Sequence, residues 1–248
     1  MTTRIEAADL EWLAPGLVAP ALLAPGHTLD ALNGFVEALL DANTRVNLVS
    51  RSTTAASVWS QHVRHCLVLA RRAFPAQSVV VDWGTGGGLP GAVLAAWFGD
   101  VEFVLVDSIA KKCAALREIV TAAGLSNVRV WHGRAEAFRE PVDYAVSRAT
   151  APLVDLWGWT QPRLRATGKA SSDRGVDTWR KGLIALKGGD LTGELHDLHA
   201  RWPAVAGGPT LRVELGNELG EEREHAPSPD GLSWSETFAG KRVVHVSY

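Results

Sequence analysis

Apolar residues recur at helical spacing through the first third of the chain and gather into short unbroken runs after it. In TLDALNGFVEALLD, residues 28–41, the positions Leu29, Leu32, Val36, Leu39 and Leu40 share one face, and Thr28 stands where an N-cap is wanted. An amphipathic helix is predicted there. TTAASVWSQHVRHCLVLARRAF repeats the pattern through Val58, Val63, Cys66, Leu67 and Ala70, so residues 1–75 read as a helical N-terminal extension closed by Pro75. Beyond it VVVD (79–82), VEFVLVD (101–107), NVRVWHG (127–133), VDYAVSRA (142–149) and GLIALKG (182–188) are β-branched runs, with helix-like LPGAVLAAWFG and KKCAALREIVTAAG between them. Strands alternating with helices imply βαβ units and a mostly parallel sheet buried on both faces, occupying residues 76–248. Two later runs, LRVELG (211–216) and RVVHVSY (242–248), are joined without a clear helix and predict an antiparallel pair at the sheet edge. The small, polar ATGKASSDRGVDTWRKG predicts a mobile loop.

Composition narrows the class of protein. With 248 residues, 46% hydrophobic and 21% charged, the chain has room for one sizeable domain and an appendage. Cys66 and Cys113 share no ligand-like spacing with each other or with the eight histidines, which predicts no metal site, no disulfide framework and a reducing, cytoplasmic setting. The N-terminal MTTRIEAADLEWLAPGLVAP is acidic and broken, so neither an export signal nor a membrane span is expected. A net charge of −2 argues against a generally basic coat. Charge is nonetheless segregated. From Ala42 through Val81 there is no Asp or Glu, while Arg45, Arg51, Arg64, Arg71 and Arg72 stand there. A second basic stretch runs from Arg163 to Lys187, and acid gathers in GNELGEEREHAPSPDG. The pattern fits either a basic nucleic-acid face on an acidic body or two Arg-rich solvated surfaces.

The chemistry centres on VVVDWGTGGGLPG, residues 79–91. Glycine after a strand allows positive φ and lets a ligand reach the backbone. Two registers compete: Gly86, Gly88 and Gly91 satisfy the dinucleotide pattern G-x-G-x-x-G, and Gly84, Gly86 and Gly88 satisfy G-x-G-x-G directly after Asp82. Position favours the second. Gly86 comes late for the dinucleotide fingerprint, Pro90 removes an amide that a pyrophosphate would use, and Asp82 would repel a phosphate while suiting a ligand with ammonium and sulfonium charges. That ligand is read as S-adenosylmethionine, with a nicotinamide dinucleotide and a merely structural glycine turn as the alternatives. Asp107, ending VEFVLVD, is placed to accept from two ribose hydroxyls.

The series DWGTGGGLPG, VLVDSIAKK, GRAEAF, VSRA and ALKG, in this order, resembles the RsmG/GidB family of 16S ribosomal RNA guanine-N7 methyltransferases from about Asn43 to Gly188, and more loosely in KRVVHVSY. The resemblance implies a class I, Rossmann-like methyltransferase sheet of seven strands with a helical N-terminal extension. It implies that Gly84 and Leu89 line the donor site, Ala135 and Glu136 flank the adenine, and Arg148 reaches the cofactor or the guanine. It also implies 16S ribosomal RNA or the small ribosomal subunit as partner. The N-terminal match is weaker: NTRVNLV keeps Asn43, Asn47 and Leu48, whereas QHVRHC keeps His62 but has His65 and Cys66 where the family has Asp and Ser.

Guanine N7 carries a lone pair and no proton, so the reaction needs positioning and no general base. Arg148 and Lys187 are the candidate positioning residues, Arg148 as a donor to guanine O6 and Lys187 either beside the base or at phosphate or solvent. Trp157, Trp159 and Trp179 are read as core, with base stacking as the alternative, and Trp83 as packing beside the loop. Competing readings are a methyltransferase for another RNA or a small molecule, and a non-catalytic donor-binding assembly factor.

Overall fold

The β-branched runs pair into one seven-stranded sheet of order β3-β2-β1-β4-β5-β7-β6. The strands are β1 (Val79–Trp83), β2 (Glu102–Asp107), β3 (Val128–His132), β4 (Tyr144–Arg148), β5 (Gly182–Gly188), β6 (Leu211–Leu215) and β7 (Lys241–Ser247). Through β5 every pairing is parallel, and β7 lies antiparallel between β5 and β6. This is the mostly parallel sheet with an antiparallel edge pair that the sequence implies. The structure, a computed structural model, describes residues 4–6, 9–10, 25–148, 151–166, 177–203, 211–215 and 240–247. Predicted strand ends at Ala149, Gly216 and Tyr248, residues 167–176 of the predicted loop, and the acidic stretch from Gly216 lie outside the described residues.

Alternate side chains of the buried strands feed two cores. On one face Val80, Phe103, Leu105, Tyr144 and Ile184 meet α1 (Pro25–Arg45), α2 (Gly91–Trp97) and α3 (Ala110–Ala122). On the other Val81, Trp83, Val104, Ala145 and Leu183 meet α4 (Leu153–Thr160) and α5 (Thr192–Arg201). Trp157 and Trp179 are 1% and 3% exposed and belong to these cores, and Trp83 donates from Nε1 to Thr160 Oγ1 at 3.0 Å. The first helix starts earlier than predicted, at Pro25, whose fixed φ suits a first turn. Thr28 is therefore inside the helix, fully buried, and is not its cap.

The second N-terminal segment is less regular than its periodicity suggests. An α turn, Ala55–Val58, widens into a π turn, Trp59–Val63, then returns to α over Arg64–Leu67 and closes as 3-10 over Val68–Arg71. The wide turn keeps Val58 and Trp59 on one side of it, and Val63 and Arg64 on the other, all buried. Arg64, 1% exposed, faces Asp9 at 3.6 Å, so it is no part of a basic surface. Arg45 pairs with Asp41 and Glu118, and Arg72 pairs with Asp177 and lies over the Trp179 ring. Of the arginines in the first basic stretch, Arg64 is thus buried, and Arg45 and Arg72 are paired with acids at the surface.

At the end of the sheet remote from the glycine loop, Asp143 gathers three partners. Its Oδ1 meets Lys181 Nζ and its Oδ2 meets Arg165 NH1, each at 2.8 Å, while Oδ2 also accepts from the Val79 amide at 3.0 Å.

Candidate active site

After β1 the chain turns through Gly84, Gly86 and Gly88, with φ of 67°, 58° and 94°, a region that side chains other than glycine's disfavour. A Cβ on Gly86 would meet nothing nearer than the Gly84 carbonyl at 4.0 Å, so here the loop offers bare backbone to open space. Behind it there is no room. A Cβ on Gly87 would sit 3.0 Å from Leu39 and 3.3 Å from Leu48, and one on Gly88 would press on Leu116, Ala92 and Phe35. The N-terminal segment is therefore the backing of the glycine loop. Asn43 shapes that backing: its Oδ1 accepts from the Leu48 and Val49 amides at 2.9 and 3.0 Å, and its Nδ2 donates to the Ser50 carbonyl. Its retention in the N-terminal motif has a structural reason beside any role in substrate recognition.

Asp82 is fully buried and braces the loop from beneath, accepting on Oδ2 from Thr85 Oγ1 at 2.7 Å and from the Gly91 amide at 2.9 Å. Burial pushes its pKa up to about 6, against the pull of those two bonds. Its Oδ1 is buried and finds no hydrogen-bond partner among the described residues. Gly91 is a packing glycine: a Cβ there would lie 2.3 Å from Leu105 Cδ2 and 2.8 Å from Asp82 Oδ2. Gly91→Ala is expected to destabilise the fold by about 1–3 kcal/mol through overpacking, read as a lower urea midpoint at unchanged slope. An unshifted midpoint would show that this junction has slack.

Asp107, 8% exposed, accepts from the Gly86 amide at 3.1 Å on Oδ2 and from the Ile109 amide at 2.8 Å on Oδ1. A carboxylate offers about four lone-pair sites, so two amides leave capacity for a diol. Leu89 is buried under the loop, Ala135 is half-buried in the turn Ala135–Ala137 after β3, and Glu136 there is exposed. Bare backbone and the carboxylate of Asp107, with Glu136 exposed in the turn after β3, make a cradle suited to a ligand with positive charge and hydroxyls, whereas Asp82, expected from the sequence to meet the ligand, is buried beneath the loop and supports it from there.

Beyond the end of β4 a cleft of about 600 Å³ opens, lined among others by His62, His65, Arg148, Lys187 and Lys241. Arg148, the last residue of β4, donates from NH1 to His62 Nδ1 at 3.1 Å. Burial pushes the His62 pKa down to about 4, and the charges of Arg148, His65 and Lys241 push the same way. The imidazole is neutral at physiological pH. Lys187 lines the cleft, but its Nζ donates to the Ala151 carbonyl at 2.6 Å and pairs with Glu194 at 2.7 Å. Glu194 in turn accepts from the Leu153 amide at the start of α4. Its ammonium is thus engaged within the protein. Cys66 is fully buried, and burial pushes its thiol up to about 12. Among the described residues no cluster of three or more His, Cys, Asp or Glu side chains is arranged to hold a metal ion.

Residues 28–178 match the GidB family, described as rRNA small subunit methyltransferase G. The chain belongs to the GidB family. A ribosomal RNA small subunit methyltransferase G from Salinibacter ruber is 46% identical over 174 residues, 70% of this chain and 79% of that protein. Proteins of the same name from Bacteroides fragilis and Cytophaga hutchinsonii are 42% and 37% identical, covering 64% and 82% of this chain and 73% and 84% of their own lengths. This GidB chain is a methyltransferase of class I fold, with the sheet order given above, and its methyl donor is S-adenosylmethionine. The glycine cradle and Asp107 suit that donor. Lys241 and Glu194 escape the sequence reading, because elements remote in the chain bring them to the site, and Gln61, beside His62, carries no signal of its own.

Proposed function

We propose that this GidB protein transfers a methyl group from S-adenosylmethionine to N7 of a guanine in 16S ribosomal RNA, in the cytoplasm, on free RNA or the assembling small subunit. The observation that carries this reading is the adjacency of two unlike sites on neighbouring strands. An acceptor-rich glycine cradle follows β1, and a cleft lined by His62, His65, Arg148 and Lys241 opens at the end of β4, its neighbour in the sheet. The relatives' names supply the small-subunit RNA. No described helix is long and apolar enough to cross a membrane.

When bound, S-adenosylmethionine supplies an electrophilic methyl on a sulfonium. The guanine N7 lone pair forms the new C–N bond as the C–S bond breaks, its pair leaving on sulfur, so positive charge passes to the purine and no proton moves. The chain's task is alignment. Gly84, Gly86, Gly88 and Asp107 hold the donor, Ala135 and Glu136 flank its adenine, and Arg148 donates to guanine O6. A neutral His62 adds no repulsion to the charge that builds on the purine. Lys187, tied to Glu194, shapes the cleft wall.

Asp107→Ala is expected to weaken donor binding by about 1–3 kcal/mol, because charge-assisted bonds to the ribose and the brace on the Gly86 amide are both lost. Calorimetry that finds wild-type affinity in a folded variant would place the ribose elsewhere. The function itself is tested by mass mapping of 16S ribosomal RNA from cells with and without the gene. Loss of one N7-methylguanosine is the expected result, and an unchanged map sinks the proposal. His65 on the cleft wall, where the family motif has Asp, favours a second reading, the same donor site serving another RNA. The same mapping over all cellular RNA would reveal it.

A further inference from the structure

The π turn has a specific product. It carries His62 into the cleft, where Nδ1 receives the NH1 donor of Arg148, a residue 86 positions away in the chain. We infer that His62 is a positioning residue for the reaction: by accepting one NH of Arg148 it fixes the guanidinium so that its other donors meet guanine O6 and leave the N7 lone pair open. This inference rests on the proposed guanine substrate and names the residue that makes the arginine selective for one edge of the base.

A guanidinium is a planar fork of five N–H donors with no acceptor, and a guanine edge presents O6 and N7 side by side. Presented square to that edge, the fork would bridge both acceptors, as Arg does when it reads guanine. Bridging would occupy the lone pair that must attack. His62 holds one arm of the fork at 3.1 Å, and with the bond between Arg148 and the buried Cys66 side chain it sets the plane of the rest. With Nδ1 accepting, the neutral ring carries its proton on Nε2. His65 and Lys241 also face this ring, and their charges, with burial and Arg148, keep it neutral and able to accept. The same arrangement opposes adenine, whose amino group in place of O6 would set donor against donor.

The test compares His62→Phe, which keeps a ring without an acceptor, with His62→Asn, whose Oδ1 takes the place of Nδ1. Steady-state turnover is measured on small subunits lacking the modification, with donor affinity by calorimetry and melting temperature beside it. The phenylalanine variant should lose on the order of 10- to 100-fold in kcat, with KM, donor affinity and melting temperature near wild type. Asparagine should recover most of that loss. His62→Ala replaces the phenylalanine variant if the latter does not fold. Wild-type kcat in the variant without an acceptor, asparagine as poor as phenylalanine, or parallel loss of donor affinity would each overturn the inference. Nucleoside analysis of the wild-type product separates the two ideas. A product other than N7-methylguanosine defeats the proposed function, whereas N7-methylguanosine formed equally fast by every variant defeats only the role of His62.

Discussion

Replacing Arg148 by alanine is expected to lower the methyl-transfer rate by on the order of 10²- to 10³-fold while leaving the protein folded. Arg148 stands at the open end of β4, half-buried, and its truncation removes the donor proposed for O6 while leaving His62 without the NH it accepts. Losing one member of a partly desolvated, hydrogen-bonded charge contact costs about 2–5 kcal/mol, which spans the stated range of rate. Lysine is expected to restore little, since a point charge can neither hold His62 and O6 together nor fix a plane. Donor affinity should change far less than kcat, because the glycine cradle and Asp107 belong to other strand ends. Single-turnover kinetics on saturated complexes would show this. A drop confined to donor binding would move Arg148 from the guanine to the cofactor.

The second large effect lies at the opposite end of the sheet. Asp143→Ala should destabilise the fold by about 3 kcal/mol, chiefly because the buried Val79 amide at the head of β1 loses its acceptor and Lys181 and Arg165 lose their shared anion. Arg165 is 40% exposed and Lys181 28%, so water softens their part of the loss. The sign with pH follows from the carboxyl. Burial pushes its pKa up, but the Lys181 and Val79 hydrogen bonds and the charges of Lys181 and Arg165 outweigh that and hold it below the ordinary value. Its stabilisation is therefore complete above about pH 4, where an unfolded Asp has ionised, and is lost as pH falls through the lowered folded value. Chemical denaturation from pH 7 down to pH 3 should show wild type and variant converging in acid. A constant gap would mean that the lost stability is packing, not charge.

Much of this molecule is legible in its residue pattern, for reasons that differ by element. GLIALKG forms β5 over the predicted residues, because a strand buried on both faces must be apolar throughout and glycines mark both ends. The glycine loop is legible because positive φ and missing Cβ atoms leave few residue choices, and Gly91 announces its tight packing in the same way. Two things hide. The contact between His62 and Arg148 joins residues whose separation no periodicity spans, and the histidines of QHVRHC read first as polar helix residues facing solvent or capping a neighbour. Asp143 hides too, since nothing in VDYAVSRA says that Arg165 and Lys181 return to it. The π turn leaves a faint trace. Buried neighbours at 58 and 59 recur at 63 and 64, a step of five where a regular helix steps by three or four.

That wide turn separates what the helix needs from what the cleft needs. A π turn holds one residue more than an α turn, so a chain shortened by one position at Ser60 could close a regular helix there with Val58, Cys66 and Leu67 still facing the core. The imidazole would then swing off the cleft wall. What the extra residue serves is therefore the cleft, since His62 lies within the wide turn and lines the cleft wall.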